Sequence, residues 1–209
     1  MFNDSYGLTQ AVLSGRKTQT RRIISCPKSS KGQEVCGFYV YRRMSDNAVL
    51  EYPIMHDADG FDIEGAYILP KYKVGEVVAV AQAYRDTWQH TGYMTEIEAK
   101  QCAGYSNKMF VSADLMPHHI RITNVRVERL QDISDEDCIK EGVELNPRQY
   151  EYDAQKVYFV RNLGHWRSFG CYNFNTPREA YAALIDKISG KGTWESNPYV
   201  FVYDFELVD

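Results

Sequence analysis

Apolar positions first recur at roughly helical spacing at Tyr6, Leu8, Ala11, Val12 and Leu13, and Gly15 follows where a left-handed glycine closes a helix. Ile23 and Ile24 then open a strand, and the polar run from Cys26 to Gly32 reads as a loop. Phe38–Tyr41 and Val49–Tyr52, separated by Ser45-Asp46-Asn47, predict a β-hairpin. Val74-Gly75-Glu76 is a turn into the β-branched core strand Val77–Val80. From Asp86 to Lys108 the chain is polar and irregular, with one short helix predicted over Glu96–Lys100. Two more strands are predicted at Met109–Val111 and His118–Leu130. In the second, Ile120 and Ile122 share one parity and Val125 and Val127 the other, so a bulge or bend near Thr123-Asn124 moves the apolar face across the strand.

Toward the C-terminus the punctuation is sharper. Ser134 reads as an N-cap followed by acidic residues in a first turn, and Gly142 as the stop, which puts Glu141 at a helix end where the local expectation is an exposed carboxylate. Thr176-Pro177-Arg178-Glu179 is a capping box with proline at the first helical position, opening a helix with the apolar stripe Ala180, Tyr181, Leu184, Ile185 and Ile188. The last strand, Tyr199 to Val208, alternates Tyr199, Phe201, Tyr203, Phe205 and Leu207 with Val200, Val202, Asp204 and Glu206. No internal repeat or low-complexity linker interrupts the pattern, so one domain with insertions is expected rather than two.

At 209 residues and 44% apolar composition the chain can bury an ordinary core. No run reaches the length of a membrane span, and the first residues lack the basic-then-apolar layout of a signal peptide, so cytoplasmic residence without membrane association is expected. The five cysteines, Cys26, Cys36, Cys102, Cys138 and Cys171, are scattered with no C-x-x-C pair, which predicts reduced thiols rather than zinc or a redox couple. His56–Asp62 has the wrong glycine offset for a calcium loop, so a plain turn is predicted, with no metal and no cofactor. Net charge is −4, but residues 1–43 carry eight Lys/Arg against Asp4 and Glu34, a balance of +6 against −10 in the remainder.

That local excess is concentrated in Gly15-Arg16-Lys17-Thr18-Gln19-Thr20-Arg21-Arg22. Arginine forks suit phosphate, a lysine among like charges has a lowered pKa, and a threonine hydroxyl becomes a nucleophile once a base takes its proton. A helical or turn conformation from Lys17 to Thr20 would put amine and hydroxyl on one side. The octet thus describes an anion or nucleotide site; a basic, exposed helix-to-strand connection is the plainer alternative. Residues 144–175 are rich in aromatics (Tyr150, Tyr152, Tyr158, Phe159, His165, Trp166, Phe169, Tyr172, Phe174) with Arg161 and Arg167 interleaved, which suits base stacking, although for most of the rings packing of a long loop on the core is the expectation.

In order, the octet after a helix, Val74-Gly75-Glu76 before a strand, the run Val125 to Asp137 with Glu141-Gly142-Val143 beyond it, and the closing Asn197-Pro198-Tyr199-Val200 strand resemble the ASCH domains of the PUA-like superfamily. The likeness is greatest to the longer ASCH proteins of phages and prophages, with insertions at about 30–66, 86–108 and 144–175. The resemblance implies an α+β fold: a small bent β-barrel, mostly antiparallel, flanked by short helices. It implies RNA, or a modified nucleoside or nucleotide, as the ligand. Some ASCH proteins are amidohydrolases that deacetylate N4-acetylcytidine with a lysine, a threonine and a glutamate, and their motif falls here on Lys17, Thr20 and Glu141. The leading expectation is RNA or nucleotide binding, with Arg16, Thr18, Arg21 and Arg22 contacting phosphate or nucleic acid. The alternatives are deacylation of a modified nucleoside through Lys17, Thr20 and Glu141, and a noncatalytic phage protein-interaction module.

Overall fold

The structure is a computed structural model that describes residues 2–45, 52–92, 94–146, 156–163 and 173–208. The strands are β1 (Gln19–Ile23), β2 (Ser29–Ser30), β3 (Gln33–Glu34), β4 (Gly37–Tyr39), β5 (Ile54–His56), β6 (Asp62–Tyr67), β7 (Val77–Ala79), β8 (His119–Arg129), β9 (Glu144–Leu145), β10 (Tyr158–Phe159) and β11 (Tyr199–Leu207). The helices are α1 (Leu8–Leu13), α2 (Tyr84–Thr91), α3 (Glu96–Gln101), α4 (Asp135–Lys140), α5 (Pro177–Ser189) and α6 (Thr193–Ser196). The architecture is α+β, built on a curled, antiparallel four-stranded half-barrel in the order β1-β11-β8-β7. Among the described residues this sheet has β1 and β7 at its edges, and a separate three-stranded sheet is formed by β4-β5-β6.

The last strand is central because both its faces are covered. Val200, Phe201, Val202 and Tyr203 are buried in succession, the mark of a strand between two layers. On one face Tyr199, Phe201 and Tyr203 meet the rings of Phe38, Tyr52 and Tyr72. Toward the other face α4 and α5 pack together, and Ala180, Tyr181, Leu184 and Ile185 enter the same core as Val200 and Val202. The face switch read from the sequence is a register shift: Asp204 opposes Asn124 while Phe205 opposes Ile122, leaving Thr123 as the extra residue.

Several predicted elements differ. The strand opening at Ile23 begins four residues earlier, at Gln19, so half of the basic octet is extended rather than turned. Phe38 pairs with Met55, and Asp46 and Asn47 of the predicted turn and residues 49–51 of the predicted second strand lie outside the described residues. Met109–Val111 is not a strand; Lys108–Phe110 forms a 3-10 turn with Met109 and Phe110 exposed. α2 was not predicted, because only Tyr84 and Trp88 mark an apolar stripe; it is secured by a small satellite core of Tyr84, Ala99 and Met116. Of the aromatic segment, Tyr158 and Phe174 bridge to each other, and Val157, Val160 and Leu163 are buried. Tyr150, Tyr152, His165, Trp166, Arg167, Phe169, Cys171 and Tyr172 lie outside the described residues. No described helix is long and apolar enough to cross a membrane.

Candidate functional site

Lys17 stands between the end of α1 and the start of β1. The Gly15 φ of 71° turns the chain there, and the backbone N–H of Lys17 donates back to Ala11 O at 2.9 Å. Its side chain runs into the protein and is 2% exposed. Nζ donates to Gln19 O at 2.7 Å, to Glu141 O at 2.8 Å and to Glu141 Oε2 at 2.6 Å. Three acceptors account for three protons, so the group is an ammonium in this geometry. Burial nevertheless pushes its pKa below the ordinary lysine value; Glu141 opposes that shift and the Arg22 and Arg21 charges add to it.

Glu141 is not the exposed helix-end carboxylate its local sequence suggests. It is 4% exposed, with its backbone N–H held by Asp137 O at 2.9 Å. Gly142, at φ 108°, then redirects the chain so that α4 ends over Lys17. The second carboxylate oxygen accepts from Arg21 Nη1 at 3.2 Å.

Arg21 is also internal. Its side chain has no exposure, and Nη2 donates to Glu128 Oε2 and to Asp137 Oδ2, each at 3.1 Å, while Nη1 also reaches Gln19 Oε1. Burial works against its charge, but Glu141 and the surrounding carboxylates outweigh it, and its pKa is raised. The network continues through Arg126, which donates to Glu128 Oε1 at 2.5 Å, Asp137 Oδ2 at 3.0 Å and Asp204 Oδ2, and through Lys140, which donates to Asp137 Oδ1 at 3.0 Å. Four cations (Lys17, Arg21, Arg126, Lys140) therefore interlock with four carboxylates (Glu128, Asp137, Glu141, Asp204).

Along the free edge of β1 this cluster borders a pocket of about 210 Å³. Its lining includes the polar or charged Lys17, Thr20, Arg21, Arg22, Glu141 and Tyr181 and the apolar Phe2, Leu8, Leu184, Ile185 and Ile188. Lys17, Thr20 and Glu141 are thus brought to one pocket, although in the extended β1 the Thr20 side chain alternates with those of Gln19 and Arg21, so the turn proposed for Lys17–Thr20 is absent. Arg21 faces the pocket with its terminal nitrogens already engaged, and Arg22 is an exposed residue at its border. Arg16 and Thr18 lie elsewhere: Arg16 Nη1 pairs with Glu144 Oε1 at 2.8 Å, and the Thr18 backbone bridges Lys140 O and Phe205 N.

The supporting carboxylates Asp137, Glu128 and Asp204 are not singled out by reading the sequence, although two signals for them are present. Asp137 precedes Glu141 by one helical turn, and Arg126 and Glu128 share a strand face. Tyr181 was read only as part of the apolar stripe of α5. Among the described residues no group of three or more His, Cys, Asp or Glu side chains is arranged to hold a metal ion. Comparison of the chain with protein-family models, curated proteins and solved structures yields no match.

Proposed function

We propose that the chain is an ASCH-type protein, its half-barrel sheet part of a PUA-like architecture, and that its pocket removes an acyl group from a modified nucleoside such as N4-acetylcytidine. What carries this is the convergence of Lys17, Thr20 and Glu141 on one pocket. At about 210 Å³ the pocket is smaller than the ~300–1,000 Å³ of typical small-molecule sites. That suits one base and its substituent better than a length of polynucleotide.

In the proposed reaction Lys17 passes a proton to Glu141 Oε2, 2.6 Å away, a transfer favoured by the burial that lowers the Lys17 pKa. The amine so formed takes the hydroxyl proton of Thr20, whose oxygen adds to the acyl carbonyl. The C–N bond then breaks, and the proton held by Glu141 goes to the departing nitrogen. Lys17, again an ammonium, then hands a proton to Glu141 a second time and takes one from water, whose oxygen adds to the Thr20 ester. The ester C–O bond breaks, the proton on Glu141 goes to the Thr20 oxygen, and the free acid leaves with all three residues in their starting state.

A noncatalytic nucleotide or RNA site is the second reading. It is favoured by the three acceptors around Lys17 Nζ, which hold it as an ammonium rather than a base. Mass spectrometry of N4-acetylcytidine incubated with the full chain separates the two. Cytidine release that Thr20→Val abolishes without unfolding the protein is expected. Absence of release by the wild type would sink the hydrolase assignment, and salt-dependent retention of single-stranded RNA would then support binding alone.

A further inference from the structure

The charged groups of the pocket turn their hydrogen-bonding capacity inward: the three protons of Lys17 and both terminal nitrogens of Arg21 are engaged by protein acceptors. Of the three lining residues that carry hydroxyls, Thr20, Tyr181 and Ser189, only Tyr181 is buried; among the described residues its side chain makes no hydrogen bond, and its oxygen is not among the sealed, unsatisfied atoms of the interior. Tyr181 is 2% exposed as a whole, so the part of it still open is the part that borders the pocket. A buried phenol ordinarily finds a partner.

The ring itself is fixed. It stands on α5 beside the buried Ala180 and Leu184 and meets Trp194 edge-on at 6.3 Å between centroids. Burial, then the Glu141 charge, holds the phenol well above the ordinary tyrosine pKa, so at neutral pH it is an uncharged hydroxyl that can donate. On the same stripe of α5, Leu184, Ile185 and Ile188 continue the pocket lining as an apolar wall for the flat side of a ring.

Resting on the assignment of this pocket as the ligand site, we propose that Tyr181 is a ligand-contacting, specificity-determining residue. Its hydroxyl reads a polar edge of an uncharged ring, a carbonyl or ring nitrogen of a nucleobase. The ion cluster behind it is balanced, four cations to four carboxylates, and supplies order rather than surplus charge for a phosphate.

Titration calorimetry of the full chain with cytidine and with N4-acetylcytidine tests this, using Tyr181→Phe, which keeps the ring against Trp194. Tyr181→Phe is expected to leave the thermal unfolding midpoint unchanged and to weaken binding by about three- to tenfold, the worth of one neutral hydrogen bond. Unchanged affinity in Tyr181→Phe, with the wild type binding, would overturn the role of Tyr181 and leave the pocket assignment standing. Failure of the wild type to bind either nucleoside would overturn both.

Discussion

Replacing Lys17 by methionine keeps most of the side-chain volume and removes only the ammonium. Three acceptors then lose their donor: the carbonyls of Gln19 and Glu141, and Glu141 Oε2. Breaking a buried ion pair by deleting one partner typically costs ~3–5 kcal/mol, because the remaining charge stays desolvated. Two features moderate that figure. Glu141 retains Arg21 Nη1 at 3.2 Å, and methionine relieves the burial penalty that lowers the Lys17 pKa. We therefore expect a loss of about 3 kcal/mol, a large part of the ~5–15 kcal/mol that holds a typical domain together.

Urea unfolding followed by circular dichroism measures it. With a slope of ~2 kcal/mol/M the midpoint should fall by about 1.5 M, and the slope itself should not change. The double variant Lys17→Met/Glu141→Leu removes both charges and should recover to within about 1 kcal/mol of the wild type. A single Lys17→Met variant as stable as the wild type would refute the reasoning, since it would mean that Glu141 does not depend on the ammonium.

Three other outcomes follow from the packing, the ion network and the turn at Gly142. Cys138 is fully buried and its thiol is pushed up to about 12 by that burial, whereas Cys26 and Cys36 are exposed; iodoacetamide with peptide mapping should modify the latter two and spare Cys138, and equal labelling would contradict the packing. For Asp137, burial raises the pKa but hydrogen bonds from Lys140 and Arg21 more than offset it, leaving the value below that of an ordinary aspartate. Its stabilisation is complete above the unfolded-state pKa and is lost as pH falls through the folded one, so Asp137→Asn should flatten the acid limb of a stability–pH curve; an unchanged limb would count against the network. Gly142→Ala places a methyl 3.0 Å from Leu8 Cδ2 at a φ of 108°, and a loss of about 1–3 kcal/mol in the same urea assay is expected, with no loss telling against the strained turn.

What could be read from the chain alone was what short-range chemistry dictates. The Thr176 capping box, the Ser134 N-cap and the bulge at Thr123 are specified by residues within a few positions of one another, and all three are present. The Lys17–Glu141 pair spans 124 residues and entered only through the family resemblance; nothing local to Glu141 distinguishes it from a solvated helix end. Arg21 shows the opposite error. A run of arginines suggests an exposed anion site, but strand alternation turns Arg21 inward, where carboxylates from β8 and α4 meet it, and propensity carries no information about that meeting. Tyr181 was legible as core and illegible as pocket lining, because an apolar stripe looks the same whether it is sealed or borders a cavity.

The placement of the charges bears on why they are there. Gln19 and Arg21 on β1, Asp204 on β11, and Asn124, Arg126 and Glu128 on β8 share one sheet face by register, and α4 roofs that face with Asp137 and Glu141. Interlocked buried ions of this kind add little net stability, since desolvation consumes most of the attraction, and hydrophobic residues of equal volume would do as well. What they supply is fixed geometry: each carboxylate is held by at least one cation, so Glu141 cannot swing away from Lys17 without breaking its bond to Arg21 as well. A proton exchanged between Lys17 and Glu141 would then move between groups that need no reorganisation, the condition under which a buried pair assists chemistry rather than merely tolerating burial. If the cluster serves that purpose, conservative changes at its far end, at Arg126 or Glu128, should slow turnover of N4-acetylcytidine more than they weaken its binding.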